Sequence, residues 1–197
     1  MTDRLMDGLV VLDIASFIAA PVATTILADF GADVIKVEAP GGDGFRALHA
    51  GPGMPDTEGR DFAWMCDNRS KRGLCLDLAS DGGQEILHRL IAKADVLVTN
   101  FPMPVRRKLK LMYEDVAHLN DRLIYASLTA YGEEGPESER TGFDSTALYA
   151  RTGMMDMMRA PGAAPVRSLP GMGDHPTGTA LFGAIMTGLY RREKTGK

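Results

Sequence analysis

Short apolar runs alternate with amphipathic segments along the whole chain. The runs rich in Val, Ile and Leu predict β-strands at 8–15, 33–40, 71–80, 95–101 and 122–132. Apolar residues at three- and four-residue spacing predict helices over 20–32, 81–94, parts of 104–120, 143–158 and 179–197. A helix between two successive strands implies a parallel pair joined by a right-handed crossover. The pattern therefore predicts an α/β fold, with a parallel sheet flanked by helices.

Three stretches break this alternation. Residues 41–62 are dense in Gly and Pro and have no period, which predicts a long surface loop. Residues 133–142 are polar and predict a second loop. The third stretch, 160–178, contains "LPGMGDHPTG", in which Asp174 and His175 stand among glycines and prolines.

Composition and charge narrow the class of protein. The chain has 197 residues, 45% hydrophobic and 24% charged, typical of a globular protein of one domain or slightly more. A formal net charge of -4 argues against a nucleic-acid partner. The N-terminal acids are atypical of a secretory signal, and no apolar run approaches the roughly 18 residues that would span a membrane. We therefore expect a cytoplasmic protein without a membrane partner.

Neither metal nor nicotinamide chemistry is indicated. Cys66 and Cys75 form no ligand motif and predict free thiols that are at least partly buried, and no two of the four histidines are spaced as on a zinc helix. The turn after the first strand, "SFIAAP", contains no glycine. Although Glu38 ends the second strand where a ribose-binding acid would lie, such a turn cannot bring its backbone against a pyrophosphate.

Two kinds of side chain at strand ends are candidates for ligand binding. Basic residues gather at 71–72 and 106–110, where they either bind a phosphorylated ligand or form solvated surface. Asp174 precedes an apolar helix, so it is either an N-cap or a carboxylate nucleophile held at the positive end of that helix. His175 is then either a base for Asp174 or a surface residue.

Several segments resemble the family III CoA-transferases, which include α-methylacyl-CoA racemases. They are "GLVVLDIASFIAAPVATTILADFGADVIKVEAPGGD" (8–43), "NRSKRGLCLDL" (68–78), "ADVLVTNF" (94–101), "LIYASLTAYGEEGP" (123–136), "TGFDSTALYARTGMM" (141–155) and "GDHPTGTALFGAIMTGLYRREKTGK" (173–197). The resemblance covers essentially the whole chain. It implies a Rossmann-like domain that binds coenzyme A as a substrate, without nicotinamide or metal.

The resemblance also implies roles for individual residues. Asp174 matches the aspartate that takes the acyl group from an acyl-CoA and then forms an aspartyl-CoA thioester, before a carboxylic acid accepts the CoA. The positions matching coenzyme A contacts are Phe17, Ile18, Ala19, Leu76, Asn100, Phe101, Val105 and Lys108. Formyl-CoA enzymes have glutamine in place of Ile18 and a basic residue in place of Ala39, which points here to a larger, less polar acyl group.

Two alternatives accompany this assignment. An acyl-CoA racemase needs a histidine where this chain has Phe143, so CoA transfer is favoured over racemisation. Asp144 is then an accessory acid near the site or simply the start of a helix. Since family members are longer, we expect 1–197 to be the N-terminal part of the large CoA-binding domain. Its second half would belong to the same chain of an interlocked homodimer or to a complementary subunit, and without that half the chain would be a CoA-binding or assembly fragment.

Overall fold

A parallel five-stranded sheet forms the centre of the computed structural model, which describes residues 4–50 and 57–197. Its strands are β1 (Val10–Asp13), β2 (Asp33–Glu38), β3 (Arg72–Cys75), β4 (Val96–Thr99) and β5 (Ile124–Ser127). They lie in the order β3-β2-β1-β4-β5, and every pair is parallel. The winding direction therefore reverses between β1 and β4, and ligands of such sheets bind at the carboxyl ends of the strands at that point.

Helices connect the strands and continue after β5. They are α1 (Ala19–Asp29), α2 (Phe62–Asn68), α3 (Asp81–Ile91), α4 (Met103–Lys108), α5 (Tyr113–Val116), α6 (Met154–Met157) and α7 (Asp174–Thr195). Two 3-10 helices (Gly44–Ala50 and Ala117–Leu119) and a π-helix (Asp144–Ala150) add to them. Within the described part of the chain, no helix has the length and apolarity needed to cross a bilayer.

The two faces of the sheet are buried by different helices. On one face α1 and α7 pack together, and Leu27 and Ile185 share a buried cluster with Val11. On the other face, Leu87 of α3 lies in a second cluster with Leu97. Because the central strands are covered on both sides, they consist of nearly continuous apolar residues rather than an alternating pattern.

Helix α7 runs past the whole sheet and is held at its far end by Arg192. This buried guanidinium donates to Asp95 Oδ1 at 2.8 Å and to Arg122 O at 3.0 Å. Asp95 in turn accepts a hydrogen bond from Val10 N at 2.9 Å. The end of α7 is thereby fixed to the amino edge of β1 and β4, opposite the edge at which its first residue lies.

The predicted α/β class and all five strands are confirmed, while several boundaries were wrong. Helix α7 begins at residue 174 rather than 179, and the segment predicted as one helix over 143–158 is a π-helix followed by α6. The predicted loop 41–62 contains the 3-10 helix Gly44–Ala50, where Phe45 N donates to Asp43 Oδ1, whereas its residues 51–56 lie outside the described ranges.

The prediction for the cysteines was also wrong. Cys66 and Cys75 are free thiols, as expected, but both are exposed rather than buried. Cys75 lies on β3, which is at one edge of the sheet formed by the described residues. The apolar run around it was too short to show that this strand lies at the edge.

Gly178 allows the start of α7 to approach α1. A Cβ atom at this position would lie 2.5 Å from Ala19 O and 2.7 Å from Val22 Cβ. We expect Gly178→Ala to lower the free energy of unfolding by about 1–3 kcal/mol, because the helices must move apart. Urea denaturation measures this.

Gly183 of the same helix provides the matched control. A Cβ atom there would meet nothing within 4 Å, so Gly183→Ala should leave stability unchanged or raise it by up to about 1 kcal/mol. Equal losses for Gly178→Ala and Gly183→Ala would contradict the role of close helix packing.

Candidate active site

The turn between β1 and α1 is held against the end of β4. Asn100, which follows β4, accepts a hydrogen bond from Ser16 N and donates one to Ser16 O, each at 2.8 Å. Phe17 N donates to Asp43 Oδ1 at 3.2 Å, and Phe17 has a φ of 61°, which is uncommon for a bulky residue. These contacts fix the backbone that leads into Ile18, at the point where the winding of the sheet reverses.

Buried charged side chains of both signs lie beneath this turn. Lys36 Nζ is 3.4 Å from Asp13 Oδ1 and 3.2 Å from Asp43 Oδ2, and Lys71 Nζ donates to Asp13 Oδ2 at 2.8 Å. Burial alone would raise the pKa of Asp13, but the ammonium groups of Lys36 and Lys71 outweigh it and hold that pKa below its usual value. The two lysines and two aspartates balance in charge, so the group buries no net charge.

Asp174 lies at the same edge, as the first residue of α7. Gly173 is the N-cap residue, and no donor within residues 4–50 and 57–197 lies within hydrogen-bond distance of the Asp174 carboxylate. Of the two roles that the sequence leaves open, the capping role is therefore absent from this structure. The carboxylate is partly buried, and neither oxygen accepts a hydrogen bond from the described residues.

Asp144 packs against the backbone just before Asp174. Its Oδ2 accepts a hydrogen bond from Gly173 N at 3.1 Å, and its Oδ1 accepts one from Ser145 N at 2.6 Å. A Cβ atom on Gly173 would lie 2.7 Å from Asp144 Cβ, so only glycine permits this approach. Burial, followed by the charge of Asp144, raises the pKa of Asp174 to about 6. Asp174 is thus mostly ionised at neutral pH and more basic than an ordinary aspartate.

His175 does not point its ring nitrogens at Asp174. Its Nδ1 lies 2.9 Å from Gly171 O and its Nε2 lies 3.1 Å from Asp67 Oδ1. Both partners are hydrogen-bond acceptors when Asp67 is ionised, so the ring satisfies both contacts only if it carries a proton on each nitrogen. A role as base for Asp174 finds no support in this arrangement.

The residues that match coenzyme A contacts occupy three places along the carboxyl edge. Phe17, Ile18 and Ala19 form the β1–α1 turn, and Asn100 and Phe101 follow β4 beside it. Val105 and Lys108 are exposed on α4, whereas Leu76 is buried just after β3, two strands from β1. A shallow cavity joins Asn100 and Phe101 to Thr129, Ala130 and Arg140.

Most of the basic residues near the strand ends bind acidic partners of the chain itself. Lys71 is buried on Asp13, the exposed Arg72 pairs with Asp33, and the buried Arg106 pairs with Glu133. Arg107 pairs with Glu139. Lys108 and Lys110 are exposed on the surface of this region. A phosphate-binding role for Lys71 or Arg106 would require breaking a buried contact, so Lys108 is the better candidate.

The acid at the end of β2 is also bound within the chain. Glu38 accepts hydrogen bonds from Arg46 Nε at 2.7 Å and Nη2 at 2.8 Å, and the Arg46 guanidinium lies 3.8 Å from the centroid of the Trp64 ring. Hydrogen bonds from Arg46 hold the pKa of the Glu38 carboxyl below its usual value. Glu38 therefore serves the fold rather than a ribose.

Two features of the site were missed by the sequence analysis. The contact between Asp67 and His175 joins residues far apart in the chain, and no local pattern signals it. The pairing of Asp13 with Lys36 did have a signal, because opposite charges interrupt two adjacent buried strands. These two residues are partners in the β1–β2 register.

Comparisons with known proteins agree with this architecture. CoA-transferase family III matches residues 6–197. A cinnamoyl-CoA:phenyllactate CoA-transferase of Clostridium sporogenes is 37% identical over 98% of this chain and 47% of its own length. A succinyl-CoA:glutarate CoA-transferase of Mus musculus is 38% identical over 98% of this chain and 43% of its own. A crystal structure of a CAIB/BAIF family protein from Brucella suis aligns with a TM-score of 0.89 at 36% identity, over 99% of this chain and 51% of that one. The chain thus spans about half the length of the relatives it matches.

Proposed function

The chain belongs to CoA-transferase family III, and we propose that it transfers coenzyme A from an acyl-CoA to a carboxylic acid through Asp174. The main support is the Asp174 carboxylate, partly buried at the reversal of the sheet and held by no donor among the described residues. At neutral pH this group carries no proton that a base must remove. It is therefore ready to attack a thioester carbonyl carbon directly.

The first half-reaction forms two covalent intermediates. An Asp174 oxygen bonds to the thioester carbonyl carbon, and the C–S bond breaks with its electron pair leaving on the CoA thiolate, which gives a mixed anhydride. The thiolate then attacks Cγ of Asp174, and the bond between Cγ and the bridging oxygen of the anhydride breaks, with its electron pair leaving on that oxygen. The donor leaves as a free carboxylate, and Asp174 becomes a thioester of CoA.

The second half-reaction repeats these steps with the acceptor acid. An acceptor carboxylate oxygen attacks Cγ of Asp174 and displaces the thiolate, which gives a new mixed anhydride. The thiolate attacks the acceptor carbonyl carbon, which yields the product acyl-CoA and restores the Asp174 carboxylate. No net proton or electron is exchanged, so the site needs neither a base nor a redox group for this sequence.

Coenzyme A is proposed to lie along the edge formed by the β1–α1 turn and the segment after β4. The Ser16–Asn100 hydrogen bonds join these two segments, and Phe17, Ile18 and Phe101 give the edge an apolar surface. Lys108, exposed on α4, supplies positive charge for a phosphate. Ala19, Leu76 and Val105 complete the proposed contacts.

Chemical trapping tests the proposed intermediate. We expect the intact protein, incubated with acyl-CoA and then with hydroxylamine, to carry a hydroxamate on Asp174, which peptide mass spectrometry would locate. Borohydride in place of hydroxylamine should reduce the same ester-level carbon. CoA transfer with an unmodified Asp174, or exchange of the Cα proton without CoA transfer, would contradict the proposal.

The pH dependence of this acylation follows from the raised pKa of Asp174. Only the ionised carboxylate attacks, so the rate should rise with pH and level off above about pH 6. Asp144→Asn removes a negative charge that favours protonation of Asp174, and we expect the rise to move to lower pH. A pH profile of the single-turnover acylation rate measures this, and an unchanged or upward-shifted profile in Asp144→Asn would contradict it.

We propose that the transferred acyl group is monocarboxylic and carries an apolar side chain. Two exposed apolar side chains belong to segments next to Asp174: Met172 precedes it by two residues, and Phe143 precedes Asp144, which binds Gly173 N. The Phe143 ring packs edge-on against Phe17 with centroids 5.3 Å apart. Ile18 Cδ1 lies 3.5 Å from the position of a Cβ atom on Gly171. Two relatives of nearly equal identity to this chain are named for different acids, phenyllactate and glutarate. Identity therefore does not choose between these acids, and the apolar side chains near Asp174 are what favours an apolar monocarboxylic acid.

Ile18→Gln tests this preference. We expect it to lower kcat/KM for 3-phenylpropionyl-CoA relative to succinyl-CoA by roughly 10–100-fold, because an amide replaces the apolar contact of the half-buried Ile18 with the acyl group. Leu5→Gln, an identical type of change at an exposed residue on the opposite edge, should leave the ratio unchanged. A preference for succinyl-CoA in the unaltered protein would contradict the proposed substrate class.

Assembly is the last part of the proposal. We propose that the second half of the enzyme covers the exposed apolar residues around Asp174, either in an interlocked homodimer or as a complementary subunit. The length of the relatives supports this, since this chain spans about half of each.

A further inference from the structure

The Asp67 side chain on α2 has a contact that the fold itself does not require. Asp67 is 4% exposed. Its backbone carbonyl already holds the end of α2, because it accepts hydrogen bonds from Thr25 Oγ1 and, at 2.9 Å, from Lys71 Nζ. Its side-chain Oδ1 is directed instead at His175 Nε2, 3.1 Å away. Replacing the carboxylate would thus leave the backbone contacts of α2 in place.

His175 connects this carboxylate to the backbone that precedes Asp174. The ring Nδ1 lies 2.9 Å from Gly171 O, and His175 N donates to the same oxygen at 3.1 Å. Gly171 has a φ of 78°, in the left-handed region that glycine adopts readily, and both contacts of His175 are made to its carbonyl oxygen. The turn from Gly171 to Gly173 therefore lies between His175 on one side and Asp144 on the other.

We propose that Asp67 is a positioning residue for Asp174. Through His175 it holds the Gly171–Gly173 turn in place and keeps the imidazole ring protonated on both nitrogens, one residue from the reacting carboxylate. This inference rests on the proposed acylation of Asp174. It adds a residue that lies outside the reacting atoms and positions Asp174 through His175.

The charges around the pair are consistent with a protonated His175. Burial opposes protonation of the ring, but the Gly171 carbonyl and the Asp67 carboxylate outweigh it and raise the pKa of His175. Burial raises the pKa of Asp67, against the effects of His175, Lys71 and Arg69. Within residues 4–50 and 57–197, Asp174 on the same helix also favours the charged ring, and Asp144 acts in turn on Asp174 from the π-helix.

Two substitutions of Asp67 separate position from charge. In Asp67→Asn the amide NH2 can donate to a neutral His175 Nε2 while Nδ1–H still donates to Gly171 O, so both contacts survive without the imidazolium charge. In Asp67→Leu, which is similar in size and apolar, neither the charge nor the contact remains. Asp33→Asn, at an exposed ion pair on the amino end of β2, serves as the control for loss of one carboxylate.

The experiment measures His175 titration by NMR and the pH profile of Asp174 acylation in the intact protein. We expect Asp67→Asn to lower the pKa of His175. Loss of the imidazolium raises the pKa of Asp174, and loss of the Asp67 charge lowers it by a smaller amount. The rise of the acylation rate should therefore move upward by about half a pH unit at most, with the plateau within about threefold of that of the unaltered protein. Asp67→Leu should lower the plateau at least about tenfold, because the turn is no longer held. Asp33→Asn should change neither measurement.

The outcomes distinguish this inference from the proposed function. Suppose that Asp174 is acylated in the unaltered protein, and that both Asp67 variants show the same His175 titration and the same pH profile of acylation as that protein. The positioning role is then wrong, and the CoA-transferase proposal stands. Loss of activity only in proportion to loss of folded protein would also overturn the positioning role. If Asp174 is not acylated in the unaltered protein, the proposed function fails, and the positioning role fails with it.

Discussion

Asp174→Asn is expected to lower kcat for CoA transfer by at least roughly 10³-fold, because an amide oxygen does not form the anhydride on which every later step depends. Binding of CoA should persist, since asparagine has nearly the same shape as aspartate. A steady-state assay of product acyl-CoA, together with a direct measurement of CoA binding in the intact protein, separates these two effects.

The fold should not suffer from this substitution. The pKa of Asp174 in the folded chain is about 6, which is higher than the ordinary value of 3.8 for an aspartate. Ionisation of Asp174 therefore lowers the stability of the fold as the pH rises from the ordinary value through about 6, and the full loss is present above it. At pH 7.5 the neutral Asp174→Asn should therefore be at least as stable as the unaltered protein. Asp156→Asn makes the same chemical change at an exposed position and should retain full activity. Substantial CoA transfer by Asp174→Asn would overturn the assignment.

The second large effect concerns stability and Asp13. Asp13→Asn leaves Lys36 and Lys71 buried beneath the β1–α1 turn with one carboxylate fewer. Removing one partner from a buried ion group usually costs about 3–5 kcal/mol, since an uncompensated charge remains away from water. We expect a loss of that size in the free energy of unfolding at pH 7, measured by urea denaturation.

Stability measured at a series of pH values tests the direction of this effect. The pKa of Asp13 is lowered in the folded chain, so the stability it contributes is present above the usual carboxyl pKa and is lost as the pH falls through its lowered value. The difference between the unaltered protein and Asp13→Asn should shrink in acid. Asp33→Asn, which breaks an exposed pair with Arg72, should cost no more than about 1 kcal/mol. Equal losses for Asp13→Asn and Asp33→Asn would show that the buried group contributes no more than a surface ion pair.

The strands and the main helices could be predicted because each depends on a local pattern. The central strands are buried on both faces, so their apolar runs are nearly uninterrupted and easy to find. The start of α7 was missed because Gly173, Asp174 and Pro176 suggest a loop, although proline is tolerated in the first turn of a helix. Helix α2 had a local signal in Asp61, whose side chain accepts a hydrogen bond from Trp64 N, but its seven residues were too few to show a period.

The candidate site was predictable only in part. The sequence and its resemblance predict Asp174 and Asp144 as site residues, and the structure places Asp144 against the backbone that leads into Asp174. The contact of Asp67 with His175 depends on how α2 and α7 pack, which no spacing along the chain reveals. The same holds for Lys71, whose basic character suggested a ligand until its burial on Asp13 was seen.

The hydrogen bonds of Arg192 affect which amino-acid substitutions the protein can tolerate far from Asp174. Helix α7 has 22 residues, so it spans roughly 33 Å from one side of the protein to the other. A movement of the helix along its axis at the Arg192 end would shift Asp174 at the other end by the same distance. The guanidinium bonded to Asp95 and Arg122 prevents such movement. Mutations on the remote side should therefore accumulate without harm to catalysis as long as that guanidinium keeps its bonds.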